Sequence, residues 1–493
     1  MPGSPAPDAS GGPDAGPGTM FHLNFLRMKK FATTLLFLAA AATASAGGLM
    51  TNSNQSAAFL RSIARGTSLE ADAVYNNPAG VVFMADGFHL GLTNQIAWQT
   101  RQTESTFAPF ALGVGNNGSE TKLFKGTVFS PIIPSFHLAY KKDRWAVMAN
   151  LGVNGGGGRV KYKNGLASFE RLITAMPLLL QQQGIPVTQY ATNMQLEGTL
   201  ITFAFSVGAS YKITDWLSAS VQLRLGVTSN SYEGYIKDNM IDPRGDQNLL
   251  PVGSVLGAQT PIEFQDHILD ITQKGTSISP VIALAFHKGP WDASIKYEFK
   301  MGTKVKNTAH QDDANSINDE FIQTYNQGFF GHNNKIKSET PALLAVAASR
   351  YIGPVKISAE WHYYFDKNAT NSFSLNNTVK GNTQEYLFGA EWQINDRWLI
   401  GVGYQKTNYD LNANNYSDLN FVTSSYSLGC GVAYQISKLV RLNISTMSTF
   451  YNKVTSEGIQ TVSSNGANIP LGQYSDIYYR KNSVIGIGLD FKF

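Results

Sequence analysis

Cysteine and charge are scarce in this sequence of 493 residues. Its single cysteine, Cys430, cannot form an intramolecular disulfide, so the fold must be stabilised without such a cross-link. Charged residues make up 15% of the chain, and the formal net charge at pH 7 is only +4. That charge is too small to indicate the basic surface of a nucleic-acid-binding protein, and we expect no nucleic acid as a partner.

Long apolar runs are also missing from the body of the chain. No segment there reaches the roughly 18 apolar residues that a membrane helix requires. Near the start, Met28-Lys29-Lys30 precedes a short apolar run that ends at Ala44-Ser45-Ala46, an arrangement that predicts a secretory signal peptide over residues 28–46 with cleavage before Gly47. Residues 1–27 are rich in Pro, Gly, Asp and Ala. We interpret them as a non-native or mis-called N-terminal extension, with a functional extension as the alternative.

The body of the chain does show apolar and polar residues alternating with a period of two. From Ile201 to Tyr211 every second residue is apolar, and small or polar residues stand between them. Such alternation places one face of a strand against apolar surroundings and the other against a polar space. Fourteen segments show it, each long enough for the roughly 9 to 11 tilted residues with which a strand crosses a bilayer. They cover residues 87–101, 134–142, 144–154, 198–212, 216–229, 276–288, 290–305, 338–352, 354–366, 383–394, 396–409, 420–436, 438–451 and 481–493.

Short and long connections alternate between these segments, with both termini on the side of the short turns. Aromatic residues such as Trp145, Trp216, Trp291 and Trp398 lie beside the short turns, as in the interfacial girdle of a membrane protein. The sequence therefore predicts an all-β membrane protein, a 14-stranded antiparallel outer-membrane β-barrel over residues 87–493. We expect the outer membrane of a Gram-negative bacterium as its location, with periplasmic termini. A soluble sandwich or propeller is the alternative, but no repeat of about 40 residues indicates a propeller.

Residues 47–86, ahead of the first strand, are expected to form a small hatch inside the barrel. Phe59, Leu60 and Ile63 share one helical face, and Gly66 is suited to end that helix. Asn77 precedes a proline and is therefore expected to be extended. An ordinary N-terminal helix and turn is the alternative interpretation.

The same stretch carries a resemblance to a known family. Arg61, Arg65-Gly66, Glu70-Ala71-Asp72-Ala73 and Asn77-Pro78-Ala79-Gly80 resemble the N-terminal hatch of the long-chain fatty-acid transporter family of outer-membrane channels (FadL/TodX type), and the resemblance extends over residues 47–493. It implies a hatch that blocks the lumen and a kinked third strand that lets apolar cargo leave sideways into the bilayer. The residues expected to form and gate the hatch are Phe59, Arg61, Arg65, Asn76, Asn77, Pro78, Ala79 and Gly80.

Two further features fit this scheme. The third predicted strand runs into Gly155-Gly156-Gly157-Gly158, which is a candidate for the kink or, alternatively, the start of a flexible loop. The connection that follows is unusually apolar, and it is either an external groove that captures cargo or a lid packed into the barrel mouth. Its groove candidates are Phe169, Leu172, Ile173, Met176, Leu179 and Leu180.

The expected function is passive uptake of hydrophobic molecules, most of all long-chain fatty acids. A carboxylate requires a cation, and Arg224, Lys296 and Lys356 are predicted to face the lumen, either as its ligands or as ordinary solvated residues. Aromatic hydrocarbons or a porphyrin are alternative cargoes, and a barrel-embedded acyl hydrolase or a general porin are alternatives of other classes. The sequence shows no G-x-S-x-G and no H-E-x-x-H, and we predict no catalytic residue, metal or cofactor. We expect a monomer whose partners are a hydrophobic small molecule and outer-membrane lipid.

Overall fold

A computed structural model describes residues 51–182, 184–257, 260, 264–310, 330–370, 379–412, 416, 418, 421–464 and 467–493. The predicted extension (1–27), the signal peptide (28–46) and the first four residues of the hatch lie outside them.

Eighteen strand segments form one antiparallel sheet in the described part of the chain. They are β1 (Gly87–Phe107), β2 (Thr121–Lys142), β3 (Trp145–Tyr162), β4 (Tyr190–Lys212), β5 (Leu217–Ile241), β6 (Leu250–Pro251), β7 (His267–Lys288), β8 (Trp291–Glu298), β9 (Lys304–Ala309), β10 (Lys335–Lys337), β11 (Leu343–Ile352), β12 (Val355–Tyr364), β13 (Gln384–Gln393), β14 (Trp398–Asn408), β15 (Ser425–Gln435), β16 (Val440–Tyr451), β17 (Val454–Ser464) and β18 (Ala467–Lys492). The helices are α1 (Ala57–Ser62), α2 (Ala73–Asn76), α3 (Ala167–Ile173), α4 (Ala175–Gln182) and α5 (Val252–Leu256), with 3₁₀ turns at Pro78–Phe83, Ala108–Leu112 and Asp366–Asn368.

These segments make fourteen wall strands. The pair β8 and β9 is one strand interrupted at residues 299–303, and β10 and β11 are one strand interrupted at 338–342. The short β6, which pairs with β5, and β17, which forms a hairpin with β18, extend the wall outward. The sheet closes where β1 pairs with β18, from His89 opposite Lys492 to Phe107 opposite Tyr474. Closure leaves the sheet without edges, which is what a bilayer requires of strands, and the predicted 14-stranded barrel is confirmed.

The burial pattern is that of a membrane barrel. On β5, Val221 and Leu225 are 62% and 44% exposed, whereas Gln222 and Arg224 between them are almost completely buried. Apolar side chains thus point outward to lipid and polar side chains inward, as the alternation predicts. No helix among the described residues is long and apolar enough to span a membrane.

Seven strands, β1 to β5, β7 and β18, are longer than the alternation predicts, each at the end away from the short turns, whereas β11 to β16 are no longer than predicted. For example, β2 begins at Thr121 rather than near residue 134, and β18 at Ala467 rather than near 481. The cause is that the alternation is inverted at these strand ends, where apolar side chains point inward and polar side chains point outward. Near the outer end of β5, Tyr232 and Ile236 are buried inside, while Glu233 faces solvent. Above the bilayer the outer surface meets water and the interior is apolar, so the rule that marks the membrane segments no longer applies.

Candidate functional site

The N-terminal segment lies inside the barrel, packed against its inner wall. Ser56 caps the N-terminus of helix α1, because its Oγ accepts a hydrogen bond from the Phe59 amide at 2.9 Å. The helix rests on the inner faces of β14, β15, β16 and β18. It can lie this close because glycines face it. A methyl group at Gly403 would stand 2.7 Å from Ile63 Cγ1, and one at Gly486 would stand 2.7 Å from Leu60 Cδ1. Phe59, Leu60 and Ile63 form a small apolar cluster with wall residues.

Buried charges connect this segment to the wall. Arg65 pairs with Asp72 at 2.8 Å and with Glu391 of β13 at 3.1 Å, and Arg61 pairs with the same Glu391 at 2.7 Å. Glu70 also pairs with both arginines. Because removing one partner would leave an uncompensated buried charge, each member of the network is strongly held.

The electrostatics of the hatch keep its carboxylates ionised. Burial by itself raises the pKa of the Asp72 carboxyl, but the Arg65 guanidinium and the Ser68 hydroxyl, which donate to it at 2.8 and 2.6 Å, bring that pKa below its ordinary value. The Arg65 interaction is therefore an ion pair at neutral pH.

The Asn77-Pro78-Ala79-Gly80 stretch is a turn at the end of the barrel that carries the short turns. Asn77 Oδ1 accepts from the Gly80 amide at 3.2 Å, and its Nδ2 donates to the Ser68 carbonyl at 3.1 Å. The Ala79 carbonyl accepts from Ser218 at the start of β5. Asn76 Nδ2 donates to Asp72 at 3.2 Å. All eight predicted hatch residues thus lie within the lumen, and their role in gating stays a prediction.

The three predicted lumen cations all contact the hatch. Lys296 Nζ donates to the Tyr75 carbonyl at 3.1 Å, and Lys356 Nζ donates to the Thr67 carbonyl at 2.8 Å. The Arg224 guanidinium lies 4.9 Å from the centre of the Tyr75 ring and pairs with Glu298. The alternation correctly predicts that these side chains face the lumen. In the structure they contact the hatch and also carboxylates of the wall. A role in carboxylate binding stays a prediction.

The wall has a gap between β2 and β3. The two strands pair from Lys142 opposite Trp145 to Phe136 opposite Leu151, and pair again only from Val128 opposite Val160 outward. Residues 129–135 and 152–159 lie between these two paired regions. Pro131 and Pro134 fall in this part of β2 and have no amide hydrogen to donate.

The glycine run lies on the other side of this gap, within β3 rather than at the start of a loop. Gly156 has φ of +71°, and the pairing of β3 with β4 slips on both sides of it, between Val153 and Gly155 and between Gly156 and Gly158. A positive φ at a close approach to the Leu200 carbonyl is tolerated only by glycine. The predicted kink residues therefore form a double bulge in the strand interior.

The hatch covers this gap from inside. The Asn52 amide donates to the Asn154 carbonyl at 2.8 Å, and its side chain donates to the Val153 carbonyl at 3.1 Å. Gln55 Nε2 donates to the same Val153 carbonyl at 2.7 Å. Across the gap, Ser135 Oγ donates to the Gln55 carbonyl at 2.5 Å. Sequence reasoning missed Asn52 and Gln55, although the polar run from Thr51 to Ser56 marks a segment rich in such donors.

The external helices α3 and α4 fill the barrel mouth. The six predicted groove residues are all buried, at 1% to 6% exposure. They pack with inward-facing side chains of the strand extensions, including Tyr232, Ile236 and Ile271. This arrangement is that of the lid rather than of an open groove. We call the cluster of α3, α4 and these extensions the outer cap.

Polar contacts hold the outer cap in place. Arg171 of α3 pairs with Asp476 of β18 at 2.8 Å and donates to Ser105 of β1 at 2.9 Å. Glu170 pairs with Lys122 at 2.7 Å and accepts from the Tyr190 hydroxyl at 2.9 Å. The cap is therefore attached to the wall by a few defined ion pairs.

Two adjacent arginines lie between the cap and the hatch. Arg101 of β1 and Arg480 of β18 are directly opposite each other in the register, and both are buried on the lumen side. The Arg101 guanidinium lies 4.7 Å from the Phe421 ring centre, and Arg480 lies 4.3 Å from that of Tyr451. Along β18, Asp476 binds the cap and Gly486 faces α1. The strand rise of about 3.4 Å per residue then places Arg480 about 14 Å along β18 from the cap contact.

Comparison with solved structures identifies the fold. A FadL homologue of Pseudomonas aeruginosa aligns over 91% of this chain and 100% of its own, with 12% sequence identity and a TM-score of 0.61. The toluene transporter TodX of Pseudomonas putida aligns over 94% and 99%, with 14% identity and a TM-score of 0.50. No protein-family profile and no curated protein matches the sequence. The expected likeness is confirmed at the level of the fold: the chain has the barrel of the FadL/TodX channels.

Proposed function

We propose that this chain is an outer-membrane channel of the FadL/TodX type, through which hydrophobic small molecules enter passively and leave sideways into the bilayer. The observation that carries the proposal is the gap between β2 and β3, bounded by Gly155–Gly158 and covered from inside by Asn52 and Gln55. A barrel that only anchored the chain or conducted ions through its axis would have no use for an unpaired stretch in its wall.

The driving force is the removal of apolar surface from water, about 25 cal/mol per Å². Cargo would first enter between the helices of the outer cap, whose buried side chains include Phe169, Leu172, Ile173, Met176, Leu179 and Leu180. It would then descend to the hatch and leave through the gap when the hydrogen bonds of residues 52 and 55 to β3 are released. Those bonds are few and replaceable, which suits a gate more than a permanent closure.

We propose long-chain fatty acids as the cargo. The support is the pair Arg101 and Arg480, which places two guanidinium groups side by side below the apolar cap. Guanidinium groups are the preferred ligands of a carboxylate, and the cap would hold the acyl chain above them. Arg224, Lys296 and Lys356 stay the alternative carboxylate ligands, although in the structure those side chains contact the hatch. An aromatic hydrocarbon is the second candidate, since TodX is a toluene transporter.

A disulfide between hatch and wall tests the proposal. A methyl group at Gly488 would lie 3.3 Å from Ala57 Cβ, close to the roughly 3.5–4.5 Å that a disulfide spans. In a Cys430→Ser background, Ala57→Cys with Gly488→Cys should lock the hatch, abolish uptake of radiolabelled oleate by cells when oxidised, and restore it on reduction.

The control is a disulfide within the wall that does not contact the hatch. Ser427 and Thr449 are opposite each other on β15 and β16, and their hydroxyls are 2.9 Å apart. Cysteines at these two positions should leave uptake unchanged in either redox state. Equal uptake through the oxidised hatch-to-wall variant would refute a path that requires the hatch to move.

A further inference from the structure

The outer surface of the barrel carries an apolar cavity of about 400 Å³ beside the gap. Its walls are the outward-facing side chains Leu92, Phe136, Leu151, Phe203, Ile487 and Leu489, from five different strands. Phe136 and Leu151 form the last pair of β2 and β3 before the gap opens. The cavity is therefore a depression in the lipid-facing wall at one rim of the gap.

The one amide on the cavity wall is turned away from its interior. Asn94 Nδ2 donates to the Pro131 carbonyl at 3.2 Å, and its Oδ1 accepts from the Ile133 amide at 3.1 Å. Both groups belong to the stretch of β2 that has left its partner. With its hydrogen bonds satisfied by the wall itself, Asn94 leaves the cavity fit for an apolar occupant of ordinary ligand size, for which pockets of about 300 to 1,000 Å³ are usual.

The depth of the cavity indicates which side of the bilayer it serves. Leu92 is five residues above Gly87, where β1 begins at the end with the short turns. At about 3.4 Å per residue and a strand tilt of about 40°, it stands about 13 Å above that end. The hydrocarbon core is about 30 Å thick, so the cavity lies in the half of the bilayer nearer the short turns.

The floor of the cavity touches the hatch. Ser135 lines the cavity and donates to the Gln55 carbonyl, and Thr93 lines it and accepts from the Ala57 amide at 3.4 Å. An occupant of the cavity is thus separated by one layer of side chains from the residues that cover the gap.

We propose that this cavity seats one acyl chain of a membrane phospholipid from the inner leaflet, and that this chain closes the gap from the lipid side as the hatch closes it from the lumen side. The cavity is lined mostly by lipid-facing side chains, and this face of the wall is in contact with the acyl chains of the bilayer. Under the proposed function, cargo leaves the barrel by exchanging places with the seated chain. The seat itself does not depend on transport.

Photo-crosslinking in vesicles tests the seat. The protein is reconstituted into phosphatidylcholine vesicles that contain a phosphatidylethanolamine with a mid-chain diazirine, irradiated, digested and mapped by mass spectrometry. If close packing in the seat adds roughly seven carbon–carbon contacts over those on the open wall, adducts at peptides containing Leu92 and Leu151 should exceed by about fivefold those at Val402 and Leu428, which are exposed on β14 and β15.

The matched variants are Leu151→Trp, which fills the cavity, and Val402→Trp, which adds the same bulk to the outer face of β14. Leu151→Trp should reduce the enrichment to the level of the open wall, and Val402→Trp should leave it unchanged. Even labelling around the barrel, or enrichment that survives Leu151→Trp, would overturn the proposal. Since the labelling needs no uptake, its failure is distinguishable from failure of the disulfide test of transport.

Discussion

The replacement Glu391→Gln gives the sharpest test of what holds the hatch. Glu391 belongs to β13, is buried, and pairs with Arg61 at 2.7 Å and with Arg65 at 3.1 Å. Glutamine keeps the shape of the side chain and removes its charge, so two buried guanidinium groups lose their shared wall partner. Removing one member of a buried pair costs about 3–5 kcal/mol.

The expected cost lies below that range because the network has other members. Arg65 keeps Asp72 and Glu70, and Arg61 keeps Glu70. We therefore expect the docked hatch to lose about 2–3 kcal/mol relative to the undocked state, which raises the undocked fraction about 30- to 150-fold. The barrel itself should keep its stability, since wall hydrogen bonds are untouched.

Two measurements follow the hatch. Thr51→Cys, in a Cys430→Ser background, provides a buried site for a maleimide or spin label, and its labelling rate should rise in proportion to the undocked fraction. In planar bilayers the Glu391→Gln variant should show more frequent brief conductance events than the unmodified chain. The control is Glu104→Gln on the outer face of β1, the same chemical change at an exposed site. Labelling and conductance equal to the control would refute the view that the buried charges hold the hatch.

Three further predictions concern cargo, the gap and pH. Arg101→Gln should weaken oleate uptake about tenfold and leave toluene uptake unchanged, because only the carboxylate loses a charge-assisted hydrogen bond, and competition between the two substrates measures this. Gly156→Val should destabilise the folded barrel by about 1–3 kcal/mol, because φ at this residue is +71°, and the folded band on gels should be lost at a lower temperature. Gly302→Val, where an added Cβ meets open space, should leave that temperature unchanged. The pKa of Asp72 is lowered in the folded hatch. The contribution of the Asp72 carboxylate to docking is therefore present above the ordinary pKa near 4 and is lost as the pH falls through the lower folded pKa. A spin label at Thr51→Cys should accordingly stay immobile from pH 8 to 5 and loosen only in stronger acid. Mobility that changes between pH 8 and 5 would contradict this assignment.

The wall could be predicted from sequence because its rule is local. Where a strand crosses lipid, residues such as Val221 and Leu225 must be apolar and their neighbours such as Arg224 need not be, and this alternation is visible without any knowledge of the fold. The outer ends of the strands follow the opposite rule. Tyr232 and Ile236 point inward because that part of the barrel stands in water. Such a reversal within one strand has no local marker in the sequence, so the alternation predicts loops where the outer ends of these strands lie.

The partners of lumen residues depend on the tertiary structure. Alternation shows that Lys296 and Lys356 face inward, but not that hatch carbonyls of Tyr75 and Thr67 stand opposite them. Likewise, the apolar face of α3 and α4 suits a groove or a lid equally, because a helix that binds cargo and one that plugs a mouth bury the same residues. To predict that Asn52 and Gln55 cover the gap likewise requires the tertiary structure.

The glycines beneath α1 have a mechanical consequence. Helices usually lock together by fitting ridges of side chains into grooves, and such contacts resist sliding. At Gly401, Gly403, Gly429 and Gly486 the barrel offers α1 bare backbone instead. A shift of the helix along this line of glycines would therefore meet less steric resistance than a shift across side-chain ridges. The ion pairs of Arg61 and Arg65 with Glu391 oppose such a shift.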